Sequence, residues 1–259
     1  MASPTSYVNS VIFGGVNLEG VFNIKVDQSK IFKIPERDYD TIEIPGRNGD
    51  LLISNNRFKN VIIPVDCFIR SSFPGVYRAA IARLIKLEGY QKLIFPQDSG
   101  HYRMAFLQTA IEPETGSFNK SGKFTLYFNC KPQRFRDDGD NPISYRNWNE
   151  IEGDTVTDQV VTVTQIENVG SYDAKPLIRF YGNGYVTIQG RTIRTRGISD
   201  YVDIDCDLMT CMTDGVNMAQ HVTIDTEYPI IEPGMQDLEY STDSTNSVAV
   251  KITPRWFDL

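Results

Sequence analysis

Apolar and polar residues alternate along several short stretches of this sequence, and this alternation limits the fold more than any other feature. Apolar residues occupy every second position from Val61 to Ile69, and the same spacing recurs within residues 124–130, 201–206 and 248–252. A period of two sends successive side chains to opposite faces of a strand, so that one face is buried. The sequence therefore predicts a mainly β protein.

Two details of the first half lead to local predictions. Pro64 has no N–H to donate to a sheet, so its strand is expected to lie at an edge or to bulge there. Residues 119–122, Asn-Lys-Ser-Gly, are typical of a hairpin turn in which Gly122 takes a positive φ.

One segment of the first half has helical spacing instead. A serine at 71 or 72 can cap it, Pro74 falls in its first turn, and Gly89 provides a stop. The spacing predicts an amphipathic helix over about residues 73–88. Its apolar face is expected to consist of Tyr77, Ala80, Ile81, Leu84 and either Leu87 or Ile85.

The regular pattern lapses after Pro132, where the chain is polar and rich in turn formers. We predict an N-terminal domain over residues 1–134, a linker over 135–154 and a C-terminal domain over 155–259. The second domain has eight short strand candidates separated by turns, which is typical of an antiparallel β-sandwich. They are residues 160–166, 177–181, 185–189, 192–195, 201–206, 221–224, 237–240 and 248–253.

Composition excludes several classes of protein. The 259 residues include 26 Lys and Arg against 33 Asp and Glu, and the net charge of −7 disfavours a general nucleic-acid binder. No apolar run approaches the ~20 residues of a membrane span. Residues 1–13 lack the basic and apolar regions of a signal peptide. We therefore expect a soluble protein that is made in a cytoplasm.

Residues that often carry chemistry are scattered. Neither His101 nor His221 lies beside a Ser, Cys or acidic motif that resembles a catalytic triad, and no Walker, G-x-S-x-G or H-E-x-x-H motif occurs. We predict no catalytic residue, no metal site and no cofactor. Four cysteines lack paired metal-ligand spacings and are expected to be buried free thiols: Cys67, Cys130, Cys206 and Cys211.

Two charged clusters are candidates for ligand binding. The first fits part of an EF-hand spacing, but Leu208 occupies the position that needs glycine. The interpretation we favour for it is a strand whose acidic face meets solvent. The second is a basic patch that is expected to be a solvated strand edge or a protein contact. The clusters are Asp203, Asp205, Asp207 and Asp214, and Arg191, Arg194 and Arg196.

Several motifs occur in an order that resembles a known family. In the first half, Ile-Pro-Gly-Arg-Asn-Gly at 44–49 precedes the strand of residues 61–70 and the helix. The motifs of the second half are Asn-Val-Gly at 168–170, Lys-Pro-Leu-Ile at 175–178, Tyr-Gly-Asn-Gly at 181–184, Tyr-Val-Asp-Ile-Asp at 201–205, Tyr-Pro-Ile-Ile-Glu-Pro-Gly at 228–234 and Pro-Arg-Trp at 254–256. Together they resemble the distal tail proteins of long-tailed bacteriophages, the siphoviruses.

The resemblance implies a structural role in the virion, with assembly in the bacterial host cytoplasm. Such proteins form a homohexameric ring that joins the tail tube to the tail-tip hub and receptor-binding proteins. An N-terminal β-sandwich with one α-helix forms the ring, and a galectin-like antiparallel β-sandwich follows it. DNA is expected to pass through the ring without specific binding, and neither membrane insertion nor enzyme activity is implied. Residues 22–26 are a candidate exposed edge for ring contacts.

Two further interpretations concern charge and function. Six copies carry about −42, which suits a ring lumen that DNA crosses without adhering. The first alternative function is a carbohydrate-binding β-sandwich that recognises the host cell surface, for which Trp148 and Trp256 are available aromatics. The second is a hydrolase at the aspartate cluster. The two halves leave little room for an inserted carbohydrate-binding module.

Overall fold

The structure, a computed structural model, describes residues 10–27, 29–70, 75–108, 114–115 and 121–259. It confirms the predicted mainly β fold, with sheets in sandwich-like arrangements. The chain divides into two compact units, Met1–Arg134 with Leu259, and Phe135–Asp258. None of the described helices is long and apolar enough to span a bilayer.

The first unit is built on one main sheet. Its elements are β1 (Ile12–Phe13), β2 (Val16–Asn17), α1 (Leu18–Phe22), β3 (Ile24–Asp27), β4 (Arg37–Ile42), β5 (Leu51–Phe58), β6 (Val61–Ile69), α2 (Gly75–Ile85), β7 (Gln91–Ile94), β8 (His101–Gln108), β9 (Glu114–Thr115) and β10 (Gly122–Arg136). Neighbouring strands follow the order β2-β1-β7-β8-β10-β6-β3, and β9 also pairs with β10. Strands β4 and β5 pair only with each other and form a separate two-stranded sheet within the described residues.

Strand β6 shows how the alternating pattern becomes a core. All five of its odd-numbered residues are buried, and they share one hydrophobic cluster with Phe13 and Phe128, whose ring centroids lie 4.9 Å apart. Pro64 pairs with Tyr127 of β10 without a bulge. Strand β3 pairs with Asp66–Ile69 and does not reach Pro64 within the described residues, so this part of β6 fits the edge alternative of the prediction.

Helix α2 ends earlier than predicted. It spans Gly75–Ile85, and the predicted cap and first residues, 71–74, lie outside the described residues. Ala80 and Leu84 are buried, and Leu87 contacts the same core just after the helix. Ile85 is exposed, so Leu87 is the residue that completes the apolar face.

The predicted exposed edge over residues 22–26 is present in part. Strand β3 lies at the end of the strand order but begins only at Ile24, because the short helix α1 precedes it and ends with Asn23 in the left-handed region at φ 53°. The predicted hairpin turn over residues 119–122 lies largely outside the described residues, and Gly122 is already the first residue of β10, where it pairs with Ile69.

The second unit contains two larger sheets. Its strands are β11 (Ile143–Arg146), β12 (Glu150–Glu152), β13 (Thr155–Asp158), β14 (Thr162–Asn168), β15 (Leu177–Tyr181), β16 (Gly184–Ile188), β17 (Arg191–Thr195), β18 (Tyr201–Asp205), β19 (Thr210–Thr213), β20 (Val216–Asn217), β21 (Val222–Ile224), β22 (Gly234–Thr242), β23 (Val248–Thr253) and β24 (Phe257–Asp258). One sheet has the order β11-β23-β15-β18-β19-β20 and the other β14-β22-β16-β17-β21. Their apolar faces share one core, which includes Trp256. Each of the eight strand candidates coincides with an observed strand.

Residues 135–154, predicted as a linker, are structured parts of the second unit. Asp137–Asp140 form a short 3₁₀ helix, β11 pairs with β23, and β12 pairs with β13. Gly139 lies so close to the backbone of Trp256 that a Cβ there would meet Trp256 N at 2.4 Å. The polar composition of this segment therefore reflects exposure rather than missing structure.

The four cysteines are buried free thiols, as predicted. Burial raises the pKa of Cys67, Cys130 and Cys206 to about 12, and it raises that of Cys211 as well. At pH 8 only about one in 10⁴ of the first three would be thiolate.

We therefore expect the native protein to react with less than one equivalent of Ellman's reagent over minutes, and with four after denaturation. The absorbance of the coloured thiolate that the reagent releases measures the number of reacted cysteines. Rapid reaction of several thiols in the native protein would contradict the buried positions.

Candidate interaction surfaces

The predicted aspartate cluster is divided among separate ion pairs. Each carboxylate of strand β18 and its following turn contacts its own basic side chain. Among the described residues, no group of three or more His, Cys, Asp and Glu side chains is arranged to hold a metal ion. The pairs, with their shortest distances, are Asp203 with Arg179 at 2.7 Å, Asp205 with Arg255 at 2.8 Å and Asp207 with Lys175 at 3.3 Å, while Asp214 accepts from the Tyr201 hydroxyl at 2.6 Å.

The position of Asp205 contradicts the prediction that the acidic face of this strand meets solvent. Its side chain is buried and accepts two hydrogen bonds from Arg255, at 2.9 and 2.8 Å, and two from the backbone N–H groups of Asp207 and Leu208, both at 3.0 Å. Burial by itself raises the pKa of this carboxyl, but the bonds and charge of Arg255 and the two N–H groups outweigh it and hold the pKa below its ordinary value. Asp205 is thus an anchor for the C-terminal segment.

The two histidines lie in different units and hold structural contacts. His101 begins β8, with Nδ1 3.6 Å from Asp98 Oδ1. His221 ends a 3₁₀ turn, and its Nδ1 lies 3.0 Å from the Arg196 carbonyl oxygen. Neither has a nucleophilic side chain among its described contacts.

The arginine patch is not at a strand edge as predicted. Strand β17, which carries Arg191 and Arg194, lies between β16 and β21. Arg194 Nε is 3.1 Å from Asp225, and Arg191 Nε is 3.6 Å from Glu227. Arg191 and Arg194 thus form ion pairs on opposite faces of an interior strand, and Arg196 follows the end of that strand.

Charge is divided unequally between the two halves of the chain. Residues 1–134 contain 17 Lys and Arg against 12 Asp and Glu, a formal net charge of +5. Residues 135–259 contain 9 against 21, a formal net charge of −12. The acidic total belongs to the second half, so it gives no support to an acidic lumen in a ring made by the first. A count of charges by half would have revealed this from the sequence alone.

The largest group of exposed apolar residues in the first unit lies on the β4–β5 hairpin. Within β4 and β5 only Asp38 is buried, where Arg57 Nε donates to it at 2.7 Å. Leu52 is 58% exposed although it is a large apolar side chain. The exposed apolar residues of the hairpin are Tyr39, Ile42, Ile44, Leu51, Leu52 and Ile53, and Phe32 and Ile34 precede them.

Both faces of this hairpin carry apolar residues. Thr41 pairs with Leu52, while Ile42 pairs with Leu51 and Asp40 with Ile53, so Leu52 and Ile53 project from opposite faces. A two-stranded hairpin alone is marginally stable in water. Exposed apolar patches of this kind typically mark protein contacts.

The Ile-Pro-Gly-Arg-Asn-Gly motif forms the tip region of the hairpin. Arg47 N donates to the Ile44 carbonyl at 3.1 Å, and Gly46 and Gly49 have φ of +83° and +81°. A Cβ at either glycine would meet nothing within 4 Å, so the positive φ is what requires glycine there. The motif therefore shapes the connection between the exposed strands.

Two family models match the chain, one in each unit. Residues 22–130 match the phage tail protein RIFT-related domain, and residues 152–256 match the siphovirus-type tail component, C-terminal domain. These matches define a phage tail protein. The chain belongs to the distal tail protein family of siphoviruses, as the order of its motifs indicates.

One of the solved structures to which the chain is similar shares its fold. The crystal structure of phage SPP1 Dit (gp 19.1), described as a paradigm of hub adsorption apparatus in phages that infect Gram-positive bacteria, aligns with a TM-score of 0.64 at 13% identity. The alignment covers 94% of this chain and 97% of that one. The phage P2 baseplate in its activated conformation with Ca aligns with a TM-score of 0.46 at 10% identity, over 85% of this chain and 91% of that one. No curated protein sequence matches this chain significantly.

The family gives the coarse function. The protein is a structural component of the phage tail, located in the virion, and assembles with other tail proteins.

Proposed function

We propose that six copies of this protein form a ring that joins the tail tube to the tail-tip hub and receptor-binding proteins. The observation that carries the proposal is the β4–β5 hairpin of the first unit, whose apolar residues are exposed on both faces. A closed ring uses one heterologous contact repeatedly, so a protruding element of one copy must meet a different surface of the next.

The hairpin has the composition of a protein contact. Its strands hold five exposed large apolar side chains, Tyr39, Ile42, Leu51, Leu52 and Ile53. If burying them removes a few hundred Å² of apolar surface per contact, the gain is about 5–10 kcal/mol before the cost of association. The open edge at β3 offers a second surface in the same unit at which a neighbouring copy can pair.

The second unit fits an external role in the same ring. Its 21 carboxylates against 9 basic residues make it strongly acidic, and such a surface repels DNA. We propose that the first unit forms the ring and that the second serves contacts with neighbouring tail proteins. The aspartates that a hydrolase would require are held in ion pairs, which argues against that alternative. Of the two tryptophans available to a carbohydrate site, Trp256 is buried in the core and Trp148 is exposed.

Electron cryomicroscopy of intact tails tests the location. We expect six copies of this chain in one ring between the last tube layer and the tail tip, with assembly completed in the host cytoplasm. Density for the chain along the whole tube, or only at the head-proximal end, would contradict the proposal.

A further inference from the structure

Residues 135–154, the segment predicted as a linker, contain an exposed tryptophan whose neighbouring residues are hydrogen-bonded to the rest of the second unit. Trp148 is 55% exposed, with the Arg146 guanidinium 4.4 Å from its ring centroid. Both neighbours of Trp148 are asparagines that bind the backbone at residues 242–247. Asn147 Nδ2 donates to the carbonyls of Ser244 and Asn246 at 2.7 and 2.9 Å, and Asn149 Nδ2 donates to that of Thr242.

Asn149 also holds the base of a hairpin beside the tryptophan. Asn149 Oδ1 accepts from Val160 N at 2.8 Å, which closes the base of the β12–β13 hairpin. Strand β14, which follows, lies at the edge of its sheet and pairs there only with β22 among the described residues. Apolar side chains exposed along this stretch are Ile151, Val160, Val161 and Val163, the last at 69%.

Apart from Arg146 beside Trp148, the charged residues along this stretch are all acidic. Residues 147–174 contain six carboxylates and no Lys, Arg or His. None of the six takes part in an ion pair within the described part of the chain, in contrast to those of the β18 cluster. Four of them lie on the hairpin itself: Glu150, Glu152, Asp154 and Asp158.

We propose that Trp148, the β12–β13 hairpin and the start of β14 form a docking surface for another tail protein, one that presents an apolar pocket within a basic rim. A rigidly held, exposed Trp is typical of the residues that dominate binding energy at protein interfaces. Six unpaired carboxylates select a positively charged partner and make its association sensitive to salt. The inference rests on the proposed adaptor function, because it assigns one of the surfaces through which the ring would hold its neighbours.

Complementation of a phage that lacks the gene for this chain tests the surface. Tails are assembled with the wild type, with Trp148→Ala or with Glu150→Lys/Glu152→Lys, and each tail protein is quantified by mass spectrometry. The matched controls are Leu208→Ala, an apolar residue 69% exposed elsewhere in the second unit, and Glu232→Lys, an exposed carboxylate outside this surface. Purified variants must keep the solution mass and melting temperature of the wild type.

In tails assembled with either surface variant, we expect this chain to be present in its normal amount while the amount of one neighbouring tail protein falls about tenfold or more. Tails assembled with the control variants should keep the normal amount of that neighbouring protein. In wild-type tails the same protein should be released as salt is raised. Retention of every tail protein would overturn the proposal. Loss of this chain itself would assign the surface to contacts between copies, and loss of host adsorption with an intact protein content would assign it to glycan binding; each also overturns it. Failure of the ring proposal can be told apart from these outcomes, because wild-type tails themselves would then lack a ring of this chain between the tube and the tail tip.

Discussion

Replacing Leu52 and Ile53 with aspartate is expected to leave the protein folded but monomeric. The two residues project from opposite faces of the β4–β5 hairpin and are exposed within the single chain, so the substitutions remove no core contact. In a ring each would place a carboxylate in an apolar contact, at a cost of several kcal/mol per interface. We expect a shift in the association constant of more than about 100-fold.

Light scattering of the variant beside the wild type measures this effect, and circular dichroism confirms that the fold is kept. Leu208→Asp is the matched control, because Leu208 is even more exposed than Leu52, at 69% against 58%, but lies in the second unit. Should the double variant assemble as the wild type does, the hairpin is not the ring contact. A loss of assembly in Leu208→Asp as well would show a general effect of charge.

Arg255→Ala is expected to destabilise the second unit by about 3–5 kcal/mol, since it leaves the buried Asp205 carboxylate without its partner. Both tryptophans, Trp148 and Trp256, lie in the second unit, so tryptophan fluorescence during urea unfolding reports on it alone. The matched control is Arg194→Ala, which breaks a more exposed pair with Asp225 and should cost less than about 1 kcal/mol.

The effect of Arg255→Ala should depend on pH in one direction. The pKa of Asp205 is lower in the folded protein than in the unfolded chain. Its pair therefore contributes stability above the unfolded pKa of about 3.9, and that contribution is lost as the pH falls through the folded value. Wild type and variant should thus converge in stability as the pH falls from about 5 through the unfolded and then the folded pKa of Asp205. A difference that stays constant over this range would show that packing, not charge, explains the loss.

The sequence predicts the strands that are buried on one face and misses those that are not. In β6 and β18, alternate apolar residues enter a core, so the period of two is visible. Strand β12 pairs with β13 in a separate two-stranded sheet and needs no buried face, which is why its polar sequence indicates a linker. Helix α1 has only five residues and depends on the side chain of Asn17, which accepts from Gly20 N at 2.7 Å.

The candidate surfaces were harder to predict because they depend on which apolar residues find no core. Leu51–Ile53 form an apolar run that is typical of a buried strand, yet all three are exposed. Only their pairing with β4, apart from the main sheet, shows this. The net charge of −7 does not say where in the chain the acidic residues lie. Residues 1–134 carry a net charge of +5, so a ring lumen formed by them is not expected to be acidic on this count.

The solution mass of the purified protein tests the proposed ring most directly. One chain has a mass of 29.4 kDa, so a closed ring of six should scatter light as a particle of about 180 kDa and show six-fold symmetry in negative stain. A single species at the mass of one chain, up to the highest concentrations that stay soluble, would contradict it.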